Sequence, residues 1–430
     1  MKHSPHASTS KPQLAVVIQG FDLTGGVSTS CRNQISILSR AYDITVITDL
    51  NIKAEEEPPT TFEIVRLSVP SFKLLRRFGH VPRQLAFIQQ AKKYLLQASH
   101  ERRFDAVIFH SHPAAALMAT FLRKRGIRSI LVVHGDIFER PEGTYGRQLN
   151  SWYRWATPRA YRRVDSIISL SPAMQNHAKR WASDKTLHYI VPNSIDPNEI
   201  GIIASLNDRQ SQLMAPPPSR AGSCDYPHRI DTIDANHHAE SNPELLFVGR
   251  IEPVKGVANL LQAVAQLHKL RRRVTLLCVG SMNTSYEREL KSLIKELELE
   301  EAVRFSPPVP RTSLGELYRS CSVLVVPSLS EPQGLVVLEG MAAGCAIVAS
   351  DTGGIGMMLD HGKSGLLFPA SDIAALSRCL QQLLMDSDAR QVLGATANRR
   401  FKTKFSREAL APHLLEAIAG TLRSTPIAAR

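Results

Sequence analysis

Short apolar runs separated by longer stretches of helical periodicity recur along the whole chain. In the first half they are LAVVIQG (14–20), ITVITDL (44–50), FDAVIFHSH (104–112), SILVVHGD (129–136), VDSIISLS (164–171) and HYIVPNSID (188–196). Their cores are near-continuous apolar runs rather than strict alternations, which predicts parallel strands covered on both faces. A second series runs through ELLFVGR (244–250), VTLLCVG (274–280), VRFSPPV (303–309), SVLVVPS (322–328) and AIVAS (346–350). Strand–helix alternation in both halves predicts an α/β chain of two doubly wound, Rossmann-like domains facing each other across a cleft.

The pattern breaks over residues 201–242, where three consecutive prolines (216–218) sit in a polar stretch without apolar periodicity. That segment reads as an irregular inserted linker. The boundaries follow: 1–13 a flexible polar tail, 14–200 the N-terminal domain, and 243–405 the C-terminal domain. Residues 406–430 read as a C-terminal helical segment that packs back on the N-terminal domain.

Composition narrows the class. A chain of 430 residues accommodates two domains of about 150–200 residues each. No apolar run reaches the roughly 18 residues that span a bilayer. The first residues, MKHSPHASTSKPQ, lack the apolar core of a secretory signal, so a cytoplasmic protein is expected. The six cysteines (31, 224, 278, 321, 345 and 379) show no metal-ligand spacing and read as free thiols.

Charge is distributed unevenly. Residues 1–200 hold 27 Lys and Arg against 16 Asp and Glu, so +11 of the net +13 lies there. This points to an anionic partner for the first half. The basic stretch FKLLRRFGHVPRQLAFIQQAKKYLL (72–96) directs the expectation toward peripheral contact with an anionic membrane, on its inner face. No nucleic-acid motif accompanies the charge, so nucleic acid is not expected as a partner.

The candidate chemistry concentrates in SEPQGLVVLEGMAAGCAIVASDTGG (330–354), where Glu331 precedes a proline and Glu339 lies within an apolar helix. A buried carboxylate is costly without a partner or a task. Glu331 falls in the loop at a strand's carboxyl end, where open α/β sheets bind ligands. Gly334 and Leu335 open the following helix, whose first N–H groups form an anion site. Carboxylates on either side of such a site suit a ligand with a central phosphate and hydroxyls at both ends, as in a nucleotide sugar. In FVGRIEPVKG (247–256), Arg250 and Lys255 stand past another strand, placed to clamp a diphosphate and neutralise its leaving charge.

These motifs resemble glycosyltransferase family 4, a retaining, metal-independent family of the GT-B fold. The resemblance covers roughly 14–200 and 243–405, and rests most on the glutamate pair with GMAAG and DTGG behind it, and on GRIEPVKG. It implies that Arg250 and Lys255 bind the donor diphosphate, Glu339 the ribose, and Glu331 the transferred sugar. Gly25 and Gly26 match the family's first-domain glycine pair. His134 in VVHGD matches a histidine that family members point at the sugar. His112 is a candidate for the acceptor side, and His110 stands beside it in the same HSHP motif. No metal and no cofactor are expected beyond a UDP- or GDP-linked nucleotide sugar, with a carbohydrate or lipid-linked acceptor.

Three positions depart from the family pattern. Gly356 and Met357 stand where a glutamate usually follows the second glycine pair, VGSMN replaces a glycine-rich turn, and Asn193-Ser194 replaces Asn-Gly. The expected function is a retaining glycosyltransferase of cell-surface polysaccharide or glycolipid synthesis. The alternatives are a non-catalytic nucleotide-sugar-binding protein of the same fold and a synthase acting on a free sugar or sugar phosphate.

Overall fold

The computed structural model describes residues 11–21, 26–49, 62–69, 81–101, 104–135, 147–202, 244–270 and 272–424. Most of the 201–242 linker, most of the 1–13 tail, Gly25 and residues 72–80 of the basic stretch lie outside the described residues.

The first half runs β1 (Gln13–Val17), α1 (Gly26–Leu38), β2 (Asp43–Asp49), β3 (Glu63–Leu67), α2 (Val81–Glu101), β4 (Ala106–Phe109) and α3 (His112–Arg123). It continues through β5 (Arg128–Val133), α4 (Arg147–Arg163), β6 (Ser166–Ser169), α5 (Pro172–Lys179) and β7 (Leu187–Ile190). The second half opens with β8 (Leu245–Val248), α6 (Val257–Lys269), β9 (Leu276–Val279), α7 (Thr284–Glu296), β10 (Val303–Ser306) and α8 (Arg311–Ser320). Then come β11 (Val323–Val326), α9 (Leu335–Ala343), β12 (Ala346–Asp351), α10 (Ile355–Met358), β13 (Leu366–Pro369), α11 (Ile373–Met385), α12 (Ser387–Arg400) and α13 (Arg407–Arg423).

Two parallel sheets result, in the orders β3-β2-β1-β4-β5-β6-β7 and β10-β9-β8-β11-β12-β13. Both faces of each sheet are covered. Ala15 and Val17 of β1 enter one cluster while Leu14 and Val16 enter the other, and Leu245 and Leu246 of β8 divide likewise. Burial on both faces is why the strands read as continuous apolar runs. Strand order reverses between β1 and β4 in the first sheet and between β8 and β11 in the second. Crevices for ligands open at such switch points, beyond the strands' carboxyl ends.

Strands β3 and β13 have no counterpart in the sequence reading. Each is a short strand at a sheet edge with largely half-exposed positions; β3, EIVRL, is interrupted by charge, and the apolar run of β13 is only Leu366, Leu367 and Phe368. Helix α13 crosses to the first half: Leu414, Ala417 and Ile418 pack with Leu14, Val16 and Ile18. Thr421 Oγ1 donates to Ser166 Oγ at 2.8 Å. At the crossing, Arg407 donates to Asn33 Oδ1 and pairs with Asp196 (2.8 Å) and Glu199 (3.1 Å). The described cysteines, 31, 278, 321, 345 and 379, form no disulfide with one another.

Candidate active site

Backbone geometry brings the β8 and β11 loops together. A short 3-10 turn, Pro253–Lys255, ends at Gly256 with φ +71°, and a Cβ there would collide with the Pro327 carbonyl just past β11. Only glycine permits that approach. It sets Lys255 against Glu331, and their side chains form an ion pair with both groups largely buried. Gly353 (φ +56°) plays the same part on the other side, where a Cβ would strike the Glu331 carbonyl. The loop holding Glu331 is thus gripped between the β8 turn and the β12 turn.

Arg250 behaves differently. Its side chain is 65% exposed and pairs with Glu252 at 2.8 Å. Its partner is Glu252, two residues away on the same loop, and not the Lys255–Glu331 pair.

Helix α9 follows directly. Gly334 precedes it at φ 32°, no side chain caps its amino end, and no acidic residue occupies its first turn. Its first N–H groups and its dipole therefore remain available to an anion. Across the cleft, a Cβ on Gly26 would lie 3.8 Å from Leu335, so the amino ends of α1 and α9 face each other. The Asn193 N–H donates to Gln333 Oε1 at 2.7 Å, joining the two halves beside this point.

Glu339 is 2% exposed. Arg311 donates to its Oε1 at 2.8 Å and the Tyr318 hydroxyl to its Oε2 at 2.6 Å. Arg311 and Tyr318 are seven residues apart on α8, two turns, and so share one face. Burial, with the adjacent Glu339 carboxylate, pushes the Tyr318 phenol well above its ordinary range. It stays protonated and donates. Arg311 and Tyr318 were not legible in the sequence. The only hint was that an isolated glutamate in an apolar helix requires partners elsewhere.

At the first sheet's switch point, His110 follows β4 and His134 follows the adjacent β5. Their ring nitrogens Nδ1 and Nε2 lie 2.6 Å apart. Burial pushes both imidazoles down, His134 to about 3, so both are neutral at neutral pH. His112 is buried at the start of α3, with Nε2 3.3 Å from the Tyr161 hydroxyl. Among the described residues, no group of three His, Cys, Asp or Glu is arranged to hold a metal ion.

Comparison with known proteins accords with this arrangement. Residues 25–194 match the model of a glycosyl transferase 4-like domain, and residues 229–400 that of glycosyl transferases group 1. The chain thus carries a glycosyl transferase 4-like domain followed by a glycosyl transferases group 1 domain.

A D-inositol 3-phosphate glycosyltransferase of Thermobispora bispora is 35% identical over 195 residues, 43% of this chain and 46% of that protein. The matched stretch thus spans under half the length of that curated relative. A sucrose-phosphate synthase from Thermosynechococcus elongatus superposes with a TM-score of 0.76 at 20% identity, over 96% of this chain and 100% of that one. HepE of Anabaena, solved with UDP and glucose, gives 0.69 at 19% identity, over 95% and 100%. These structural likenesses show the GT-B fold.

Proposed function

We propose that the chain transfers a sugar from a nucleotide-sugar donor to an acceptor hydroxyl with retention of anomeric configuration. The observation that carries this reading is the Lys255–Glu331 pair at the uncapped amino end of α9. Lys255, Arg250 and the α9 N–H groups stabilise the departing nucleoside diphosphate, a preorganised electrostatic task. A donor diphosphate competes with Glu331 for Lys255, so donor binding releases the Glu331 carboxylate toward the sugar as positive charge develops. Glu339, oriented by Arg311 and Tyr318, retains lone pairs for ribose hydroxyls.

Charge neutralisation by these cations removes the need for a metal or other cofactor. The test is thermal-shift screening against UDP-, GDP- and ADP-sugars, since a ligand bound only by the folded state raises the melting temperature. One donor class is expected to raise it, equally in excess chelator. No shift with any donor, together with no donor hydrolysis, removes the reading. Strict dependence on added Mn²⁺ or Mg²⁺ removes its metal-independent part.

The acceptor is proposed to be carbohydrate or lipid-linked, met at an anionic membrane surface on the cytoplasmic side. No described helix is long and apolar enough to cross a membrane. Phe87, in the basic stretch, is unavailable for docking: it is 2% exposed and packs in the first sheet's core. Helix α4 offers a better face. Trp155 is 37% exposed, stacks on Trp152 at 5.0 Å and lies under the Arg159 guanidinium at 4.6 Å. An amphipathic ring beside arginine suits a headgroup layer. A second reading, a soluble phosphorylated acceptor, draws on the relative named for D-inositol 3-phosphate. In vesicle sedimentation, anionic lipid is expected to bind the chain in a salt-sensitive way that Trp155→Ala weakens. Equal binding to anionic and neutral vesicles, or none, favours the soluble acceptor.

A further inference from the structure

His110 and His134 are not simply neighbours. Their ring planes differ by 21° and their centroids lie 4.9 Å apart, with Nδ1 of one 2.6 Å from Nε2 of the other. Near-coplanar rings at that separation are side by side, with the two nitrogens close to the line joining the ring centres. This is the geometry of a near-linear N–H···N hydrogen bond rather than of face-to-face stacking.

A neutral imidazole has one donor and one acceptor nitrogen. A single bridging proton therefore couples the two tautomers. If His110 donates through Nδ1, His134 accepts at Nε2 and carries its proton on Nδ1. If His134 donates through Nε2, its Nδ1 is bare and the His110 proton sits on Nε2. Burial, which lowers both imidazole pKa values, keeps the pair in these neutral states.

We propose that His110 is a positioning residue: it fixes the ring plane of His134 and decides whether the remaining His134 nitrogen meets a ligand as donor or acceptor. This rests on the glycosyltransferase reading for its functional consequence, but not for the pairing itself. The bond has a structural cause. β4 and β5 are adjacent parallel strands with Phe109 opposite Leu131, so His110 lies opposite Val132, two residues before His134, a separation at which strand side chains share one face. Of the HSH motif, His112 meets the Tyr161 hydroxyl through Nε2, and His110 meets His134.

Two variants separate positioning from packing. His110→Phe keeps a ring of similar shape and removes the bond. His110→Asn places an amide near the former Nδ1 and restores a donor or acceptor. Long-range ¹H–¹⁵N spectra of the full chain labelled at histidine are expected to show His134 as a single neutral tautomer. In His110→Phe it becomes a tautomer average, and in His110→Asn it is single again. Turnover is expected to fall about tenfold in His110→Phe, the size of one lost hydrogen bond in a buried site, and to recover mostly in His110→Asn. Affinity for the nucleoside diphosphate is expected to be unchanged in both. A His134 spectrum indifferent to His110→Phe overturns the proposal, as does equal impairment of turnover by the two variants. If no donor is used at all, the transfer reading fails, while the spectra still decide the pairing.

Discussion

Alanine at Lys255 is expected to lower turnover by about 10²–10³-fold, the range for loss of one electrostatic stabiliser of the transition state. The side chain is largely buried against Glu331 at the uncapped start of α9, where the leaving diphosphate would gather charge. Truncation also leaves Glu331 without its cation, next to an anionic ligand, which adds to the loss. Arg250→Ala is expected to act in the same direction, despite the exposure of Arg250 and its pairing with Glu252. That exposed ion pair is worth little by itself, so Arg250 can turn toward a phosphate at small cost. Both variants are expected to fold, because neither side chain contributes to the apolar clusters. Steady-state kinetics with the preferred donor is the measurement. Wild-type turnover in the Arg250→Ala/Lys255→Ala double variant would end the assignment of the clamp.

The two glutamates are expected to fail in different ways. Glu331→Gln keeps shape and hydrogen-bonding capacity but removes the charge that meets the sugar. It is expected to lose mostly turnover, because the contact matters more in the transition state than in the ground state. Glu339→Gln is expected to raise the Michaelis constant for the donor and weaken binding of the free nucleoside diphosphate. The structure adds a second consequence. The carboxylate accepts from both Arg311 and Tyr318 while almost fully buried. Replacing it turns one acceptor into a donor opposite the Tyr318 hydroxyl, at a cost of about 1–3 kcal/mol. Its melting temperature should therefore drop, whereas that of Glu331→Gln should change little. Calorimetry with nucleoside diphosphate, kinetics and thermal melts together separate the roles. Loss of nucleoside diphosphate binding in Glu331→Gln with normal binding in Glu339→Gln would reverse the placement. No change in either quantity for both variants would make the pair structural.

Two doubly wound α/β domains were legible from residue order alone, because strands buried on both faces leave continuous apolar runs that helices between them do not. Two of the four edge strands lack that imprint: β3, EIVRL, is half-exposed and interrupted by charge, and β13 offers only Leu366, Leu367 and Phe368, whereas the edge strands β7 and β10 were legible. The glutamates stood out for a local reason, since a carboxylate in an apolar helix contradicts its surroundings. Their partners did not, because Tyr318 and Arg311 lie 21 and 28 residues before Glu339 and meet it only when α8 packs beside α9. The Lys255–Glu331 pair spans 76 residues and depends on β8 and β11 lying side by side. The His110–His134 bond likewise depends on the register of β4 and β5. Periodicity records which face of an element is buried, a property of neighbouring residues. Which buried faces meet is set by strand order and helix packing, and those contacts close only in the folded chain.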